Sequence, residues 1–148
     1  MIEEVTDRNE LLALIVRGTA PFPPGVSFFT PPEFSQQLGV IRQPTGHTIE
    51  PHLHNAVLRE VKVTQEALIL RRGRLRVDFY RTDRSYVESR VLEAGDVILL
   101  CSGGHGFEVL EEVEMVEVKQ GPYIADRDKV RFEGAVEEAL TTRGRDRS

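Results

Sequence analysis

Apolar positions along most of the chain come in short runs, broken by Gly, Pro, Asp and Ser, and many of them alternate with polar residues. That pattern has the period of β-strands joined by tight turns rather than of helices. Candidate strands lie at 38–43, 47–54, 61–71, 74–81, 86–93, 97–101, 106–110 and 113–119, about eight in all, enough to close a small barrel. Gly73 is expected to turn a hairpin between the third and fourth, with further turns at Thr82-Asp83-Arg84-Ser85 and Ala94-Gly95-Asp96. Most strands are then antiparallel neighbours in an all-β barrel or sandwich.

The two ends read differently. Asp7 followed by Glu10 has the form of a capping box, and it predicts a short helix through Leu11, Leu12, Leu14 and Ile15. Pro21, Pro23 and Pro24 cannot continue that helix, so an extended crossing follows. The expected organisation is a helix and arm over 1–37, a barrel over 38–123 and a polar extension over 124–148. Within the extension, 133–140 can form a short helix, and 141–148 is charged enough to stay disordered.

Composition narrows the function classes. A chain of 148 residues, 40% of them hydrophobic, supports one domain with a real core. A formal net charge of −5 argues against a nucleic-acid partner, whose phosphates need a basic surface. No apolar run approaches the roughly 20 residues that span a bilayer, and the acidic start Met1-Ile2-Glu3-Glu4 is unlike a targeting segment. With Cys101 as the lone cysteine, no internal disulfide forms, and a cytoplasmic location is expected. Cys101 itself shares the parity of Val97 and Leu99 and reads as a small buried hydrophobe. The acidic stretch Glu111-Glu112-Val113-Glu114 reads as a solvated turn and strand end.

The chemistry lies in histidines and carboxylates. His52 and His54 are two apart in a predicted strand, which puts both imidazoles on one face at roughly 6–7 Å. His47 has the opposite parity. His105 sits in a loop whose Gly103, Gly104 and Gly106 permit positive φ. Gly46, five residues, His52-Leu53-His54, and later Glu66, six residues and Gly73 resemble the first motif of the cupin superfamily. Gly95, a short apolar strand and the loop Ser102-Gly103-Gly104-His105 resemble the second. The resemblance covers about 39–119 and departs from the family in three places. Eleven residues separate His54 from Glu66, Cys101 stands at the usual proline, and His105 arrives one residue early. Glu60 is nearer to His54, but the spacing to Gly73 selects Glu66, leaving 55–60 as an enlarged loop.

The resemblance implies a small cupin-type antiparallel β-barrel, a double-stranded β-helix or jelly roll, here with a short N-terminal helix. It further implies one divalent metal ion held by His52, His54, Glu66 and His105. Three imidazoles and a carboxylate suit iron, manganese, nickel or zinc, and open positions would admit water and a small-molecule substrate. Polar residues near the expected mouth, among them Arg42, Arg59, Lys62, Lys119 and Tyr123, suit an oxygen-rich or anionic molecule such as a sugar or organic acid. The runs GHTIEPHLH, QEALILRRGRLRVDFY, GDVILLCSGGHGFEVL and VEVKQGPY are similar to small cupins of carbohydrate and nucleotide-sugar gene neighbourhoods. The leading expectation is a metal-dependent enzyme. Its rivals are an iron oxygenase, a non-catalytic binding or sensor domain, and a metal-free isomerase using histidine and tyrosine. Small cupin barrels expose an apolar sheet face, so a homodimer is expected, with no nucleic acid or membrane partner.

Overall fold

A computed structural model describes residues 1–124, 127–136 and 139–143. Among them the chain forms β1 (Ile2–Asp7), β2 (Glu10–Val16), β3 (Gly25–Phe28), β4 (Gly39–Arg42), β5 (Glu66–Tyr80), β6 (Tyr86–Glu93), β7 (Val97–Leu100), β8 (Gly104–Lys119) and β9 (Thr142–Arg143), with no α-helix. One sheet runs in the order β1-β2-β7-β5-β6-β9 with β8 laid along β5, while β3 and β4 make a separate ribbon. All pairings are antiparallel except β6 with β9. The chain is thus all-β, a curled antiparallel sheet forming a half-barrel.

The helix expected from Asp7 is instead the hairpin β1–β2. Arg8 and Asn9 both adopt positive φ, 48° and 67°, the geometry of a tight hairpin turn. Asp7 caps nothing: its carboxylate accepts bonds from Arg81 Nε at 2.5 Å and Nη2 at 2.7 Å. The run through Leu11 to Val16 is contiguous because β2 lies between β1 and β7 and is covered on both faces. Leu12 and Ile15 join the main core with Leu68, Leu75, Phe79 and Ile98. Leu14 joins Ala67, Leu99 and Cys101 in a second cluster, against which Phe29, Phe34 and Leu38 pack. Residues 2–16 therefore belong to the sheet rather than to an outlying arm.

The hairpin expected at Gly73 is a corner inside one continuous strand. The first half of β5 lies between β7 and β8, the second between β6 and β8, so the sheet changes partner midway. Register shifts cluster between Leu70 and Leu75, where Gly73 takes φ 85°. A Cβ there would lie 2.0 Å from the Glu112 carbonyl oxygen, so only glycine fits. Positive φ serves a hairpin or a corner equally, and the shared partner β8 selects the corner. The strands expected at 106–110 and 113–119 are likewise one bent strand, and Glu111 to Glu114 sit at its bend.

Expectation and structure agree at β4, β6 and β7 and at the turns near Arg84 and Gly95, which have φ 74° and 93°. The strand expected at 47–54 does not form, and the one expected at 61–71 starts only at Glu66. The helix expected over 133–140 is not seen at 133–136, and residues 137–138 lie outside the described residues. Of the 141–148 tail, Thr142 and Arg143 pair with Ser89 and Arg90, and 144–148 lie outside the described residues.

Candidate functional site

The corner of β5 and β8 brings distant residues together. On β8, Lys119 pairs with Glu66 and His105 pairs with Phe79, fourteen positions further back. A straight strand would separate Lys119 from His105 by roughly 46 Å at about 3.3 Å per residue. Yet Glu66 Oε2 lies 3.4 Å from His105 Nε2, and Glu66 Oε1 lies 3.8 Å from Lys119 Nζ. The curl of the sheet closes that distance. The His105 ring N–H holds the Glu66 carboxyl below its ordinary value, and the charges of Lys119 and Lys129 add to this against burial, which pushes it up.

Glu66, His105 and Lys119 line an open cleft of about 1120 Å³. Its walls also carry the cations Arg81, Arg84, Arg127, Lys129 and Arg131, which with Lys119 outnumber the acids Glu66, Asp78, Glu117 and Asp128. In a chain of net charge −5, this cleft is a cationic exception. One wall is aromatic: the Phe132 ring stands edge-on to Tyr80 at 5.1 Å, and the Tyr80 hydroxyl accepts a bond from Ala135 N. Those contacts tie the chain beyond β8 to the cleft. Deeper in, the Ser89 hydroxyl donates to Asp78 Oδ1 and Arg76 Nε donates to the same oxygen, so that carboxylate is engaged by the fold.

Of the four residues expected to hold a metal, the structure brings Glu66 and His105 into contact. His52 and His54 stand together elsewhere, with ring centroids 5.3 Å apart, on an exposed segment without regular structure. The His52 ring is held locally, its Nδ1 2.9 Å from the Glu50 carbonyl. Among the described residues no three His, Cys, Asp or Glu side chains are gathered as a metal-ligating group. Glu60 lies on the same exposed segment and pairs with Lys62 at 3.6 Å.

The expected polar rim divides. Lys62 and Lys119 line the cleft, and Lys119 Nζ stands 5.8 Å from the centre of the Tyr123 ring. Arg42 donates instead to the Phe22 carbonyl, and Arg59 to the Val57 carbonyl. Cys101 is buried, as expected, and burial pushes its thiol up to about 12. The arginines and lysine of 127–131 were not anticipated; the signal was the alternating basic run Arg127-Asp128-Lys129-Val130-Arg131 in a stretch otherwise read as tail. Among the described residues no helix is long and apolar enough to cross a membrane. Comparison with models of known families, with curated proteins and with solved structures finds no match.

Proposed function

We propose that this chain is a cupin-type barrel protein that binds one divalent metal ion at the cationic cleft and acts on a small oxygen-rich molecule such as a sugar or organic acid. The observation that carries the reading is the contact of Glu66 with His105, brought together across a bent strand and open to the cleft. A carboxylate kept ionised beside an imidazole is half of a borderline donor set. In this reading His52 and His54, whose rings stand 5.3 Å apart on an exposed segment, would supply the other half. The basic walls favour a ligand with carboxylate, phosphate or many hydroxyl oxygens. A bound metal supplies polarisation of a substrate oxygen or a place for dioxygen. A cytoplasmic location belongs to the same reading.

Metal analysis of protein purified without chelator tests it. About one iron, manganese, nickel or zinc per chain is expected, with Glu66→Gln emptying the site and Glu60→Gln leaving it filled. Metal-free protein that gains none on titration sinks the reading, and so does a site emptied by Glu60→Gln alone. A metal-free acid–base reading draws on the same contact, since a carboxylate beside an imidazole at an open cleft can serve as an acid–base pair. Turnover that survives thorough chelation would favour it.

A further inference from the structure

Residues 127–132, with Gly134 and Ala135, form a strap that lines the cleft beside Tyr80, Arg84 and Gly104. Phe132 anchors it. The Phe132 ring meets Tyr80 edge-on at 5.1 Å, the Arg84 guanidinium stands 5.9 Å from its centre, and a Cβ added to Gly104 would come within 3.0 Å of it. A Cβ added to Gly134 would lie 3.0 Å from the Tyr80 hydroxyl, which accepts a bond from Ala135 N at 3.1 Å. The strap is therefore seated directly on the ends of β5 and β8, and the charges it carries are held at the cleft.

Those charges are not spent on the fold. Among the described residues, Arg81 is held by Asp7, Lys119 by Glu66 and Glu117, and Lys62 by Glu60, while no ion pair engages Arg84, Arg127, Lys129 or Arg131. All four are exposed and line the cleft, and the charge of Lys129 is felt at the Glu66 carboxylate. Of the acids along the cleft, Lys119 takes Glu66 and Glu117, and Arg76 takes Asp78, which leaves Asp128 against four positive charges. Arg84 is fixed by its turn, where its φ is 74°, Arg81 N donates to the Ser85 carbonyl and Asp83 accepts from Ser85 N. Cations gathered in a cleft without counter-charge focus their field on whatever enters it.

We infer, granting the reading of the cleft as a ligand site, that its small-molecule ligand carries a phosphoryl group held by Arg84, Arg127, Lys129 and Arg131, which leaves Glu66 and His105 for its hydroxyl oxygens. A carboxylate offers these cations one charge and two oxygens. A phosphate ester offers about −1.5 to −2 charges at pH 7 and three terminal oxygens, which suits several guanidinium forks and an ammonium together. A long polyanion such as nucleic acid is disfavoured, because the cleft is a cationic exception on a chain of net charge −5. The phosphoryl site needs no metal, since its donors are the chain's own side chains.

The test is calorimetric titration of the full chain as purified, at fixed ionic strength, with inorganic phosphate, glucose 6-phosphate and gluconate as probes. Both phosphate probes should bind saturably, with glucose 6-phosphate tighter than either inorganic phosphate or gluconate by about tenfold. Lys129→Gln with Arg131→Gln should weaken both by about tenfold or more, and Arg84→Gln, on a separate turn, by about threefold. Arg42→Gln with Arg59→Gln removes two charges outside the cleft and should change either by less than about twofold. All five positions are exposed, and unchanged far-ultraviolet circular dichroism confirms folding. Glu66→Gln, which empties the site in the metal reading, should keep phosphate binding within about threefold. No saturable binding, an ester no tighter than inorganic phosphate or gluconate, or equal losses from the pair outside the cleft each overturns the phosphoryl site. So does binding lost in Glu66→Gln but kept in the Lys129 and Arg131 variant, which would put the phosphate on a metal and leave the metal reading standing. Metal-free protein that binds the ester through the strap does the reverse.

Discussion

Two clusters of opposite charge show how the same chemistry serves different ends in this chain. Arg17, 6% exposed, donates to both Glu3 oxygens at 2.8 Å, to Asp96 Oδ2 at 2.7 Å and to the Val91 carbonyl. Asp96 also accepts from Gly18 N and Glu93 N. The fold occupies these donors and acceptors, so the cluster ties β1 and β2 to the turn between β6 and β7. Glu66, His105 and Lys119 instead meet at 3.4 and 3.8 Å with side chains 18–30% exposed, facing a cleft. Closure makes the first structural, and access leaves the second available to a ligand.

The sharpest way to break the distinction is to remove one partner from each. Asp96→Ala leaves the Arg17 guanidinium buried with part of its partnership gone, and should cost about 3–5 kcal/mol in urea unfolding. Glu66→Gln should cost less than about 1 kcal/mol, as for pairs open to solvent. Equal losses would mean that both clusters are structural.

Gly73→Ala should fall between them, at about 1–3 kcal/mol, since φ 85° strains any other residue and the new Cβ meets the Glu112 carbonyl. It should also disturb the cleft selectively. The corner it distorts is what folds His105 back to Glu66, so the His105 ring resonances should move while those of the Arg17 side chain stay. Unmoved His105 resonances would show that the contact does not depend on the corner.

The smallest effect is a pH dependence. The bonds from Arg17 hold the Glu3 carboxyl below its ordinary value, so the unfolded chain binds that proton more readily than the folded one. The stability it contributes is whole above the ordinary carboxylate range and fades as pH falls through that range toward the folded value. Glu3→Gln should therefore flatten the acid side of the stability curve and leave the slope above pH 6 unchanged. An unaltered acid limb would place Glu3 outside the cluster's energetics.

Local chemistry was the legible part of the fold. β6, predicted at 86–93, and the turns around Arg84 and Gly95 depend on period-two alternation and on residues that tolerate positive φ, all within a few positions. Of the site, Glu66 and His105 were picked out through motif spacing, although the hairpin used to select Glu66 is a corner. The cationic wall at 127–131 was missed because its role depends on Phe132 docking on Tyr80, a contact between residues far apart in the chain.

The sequence by itself determined that this is a chain of β-runs with few residues suited to metal or acid–base chemistry, because alternation and side-chain type are properties of neighbouring positions. Only the tertiary structure decided that 7–15 is a hairpin and not a helix, since the apolar run needs β1 and β7 beside it and a cover on each face. It likewise decided that Gly73 bends a strand and that Glu66 meets His105, because both follow from which strand β8 lies against.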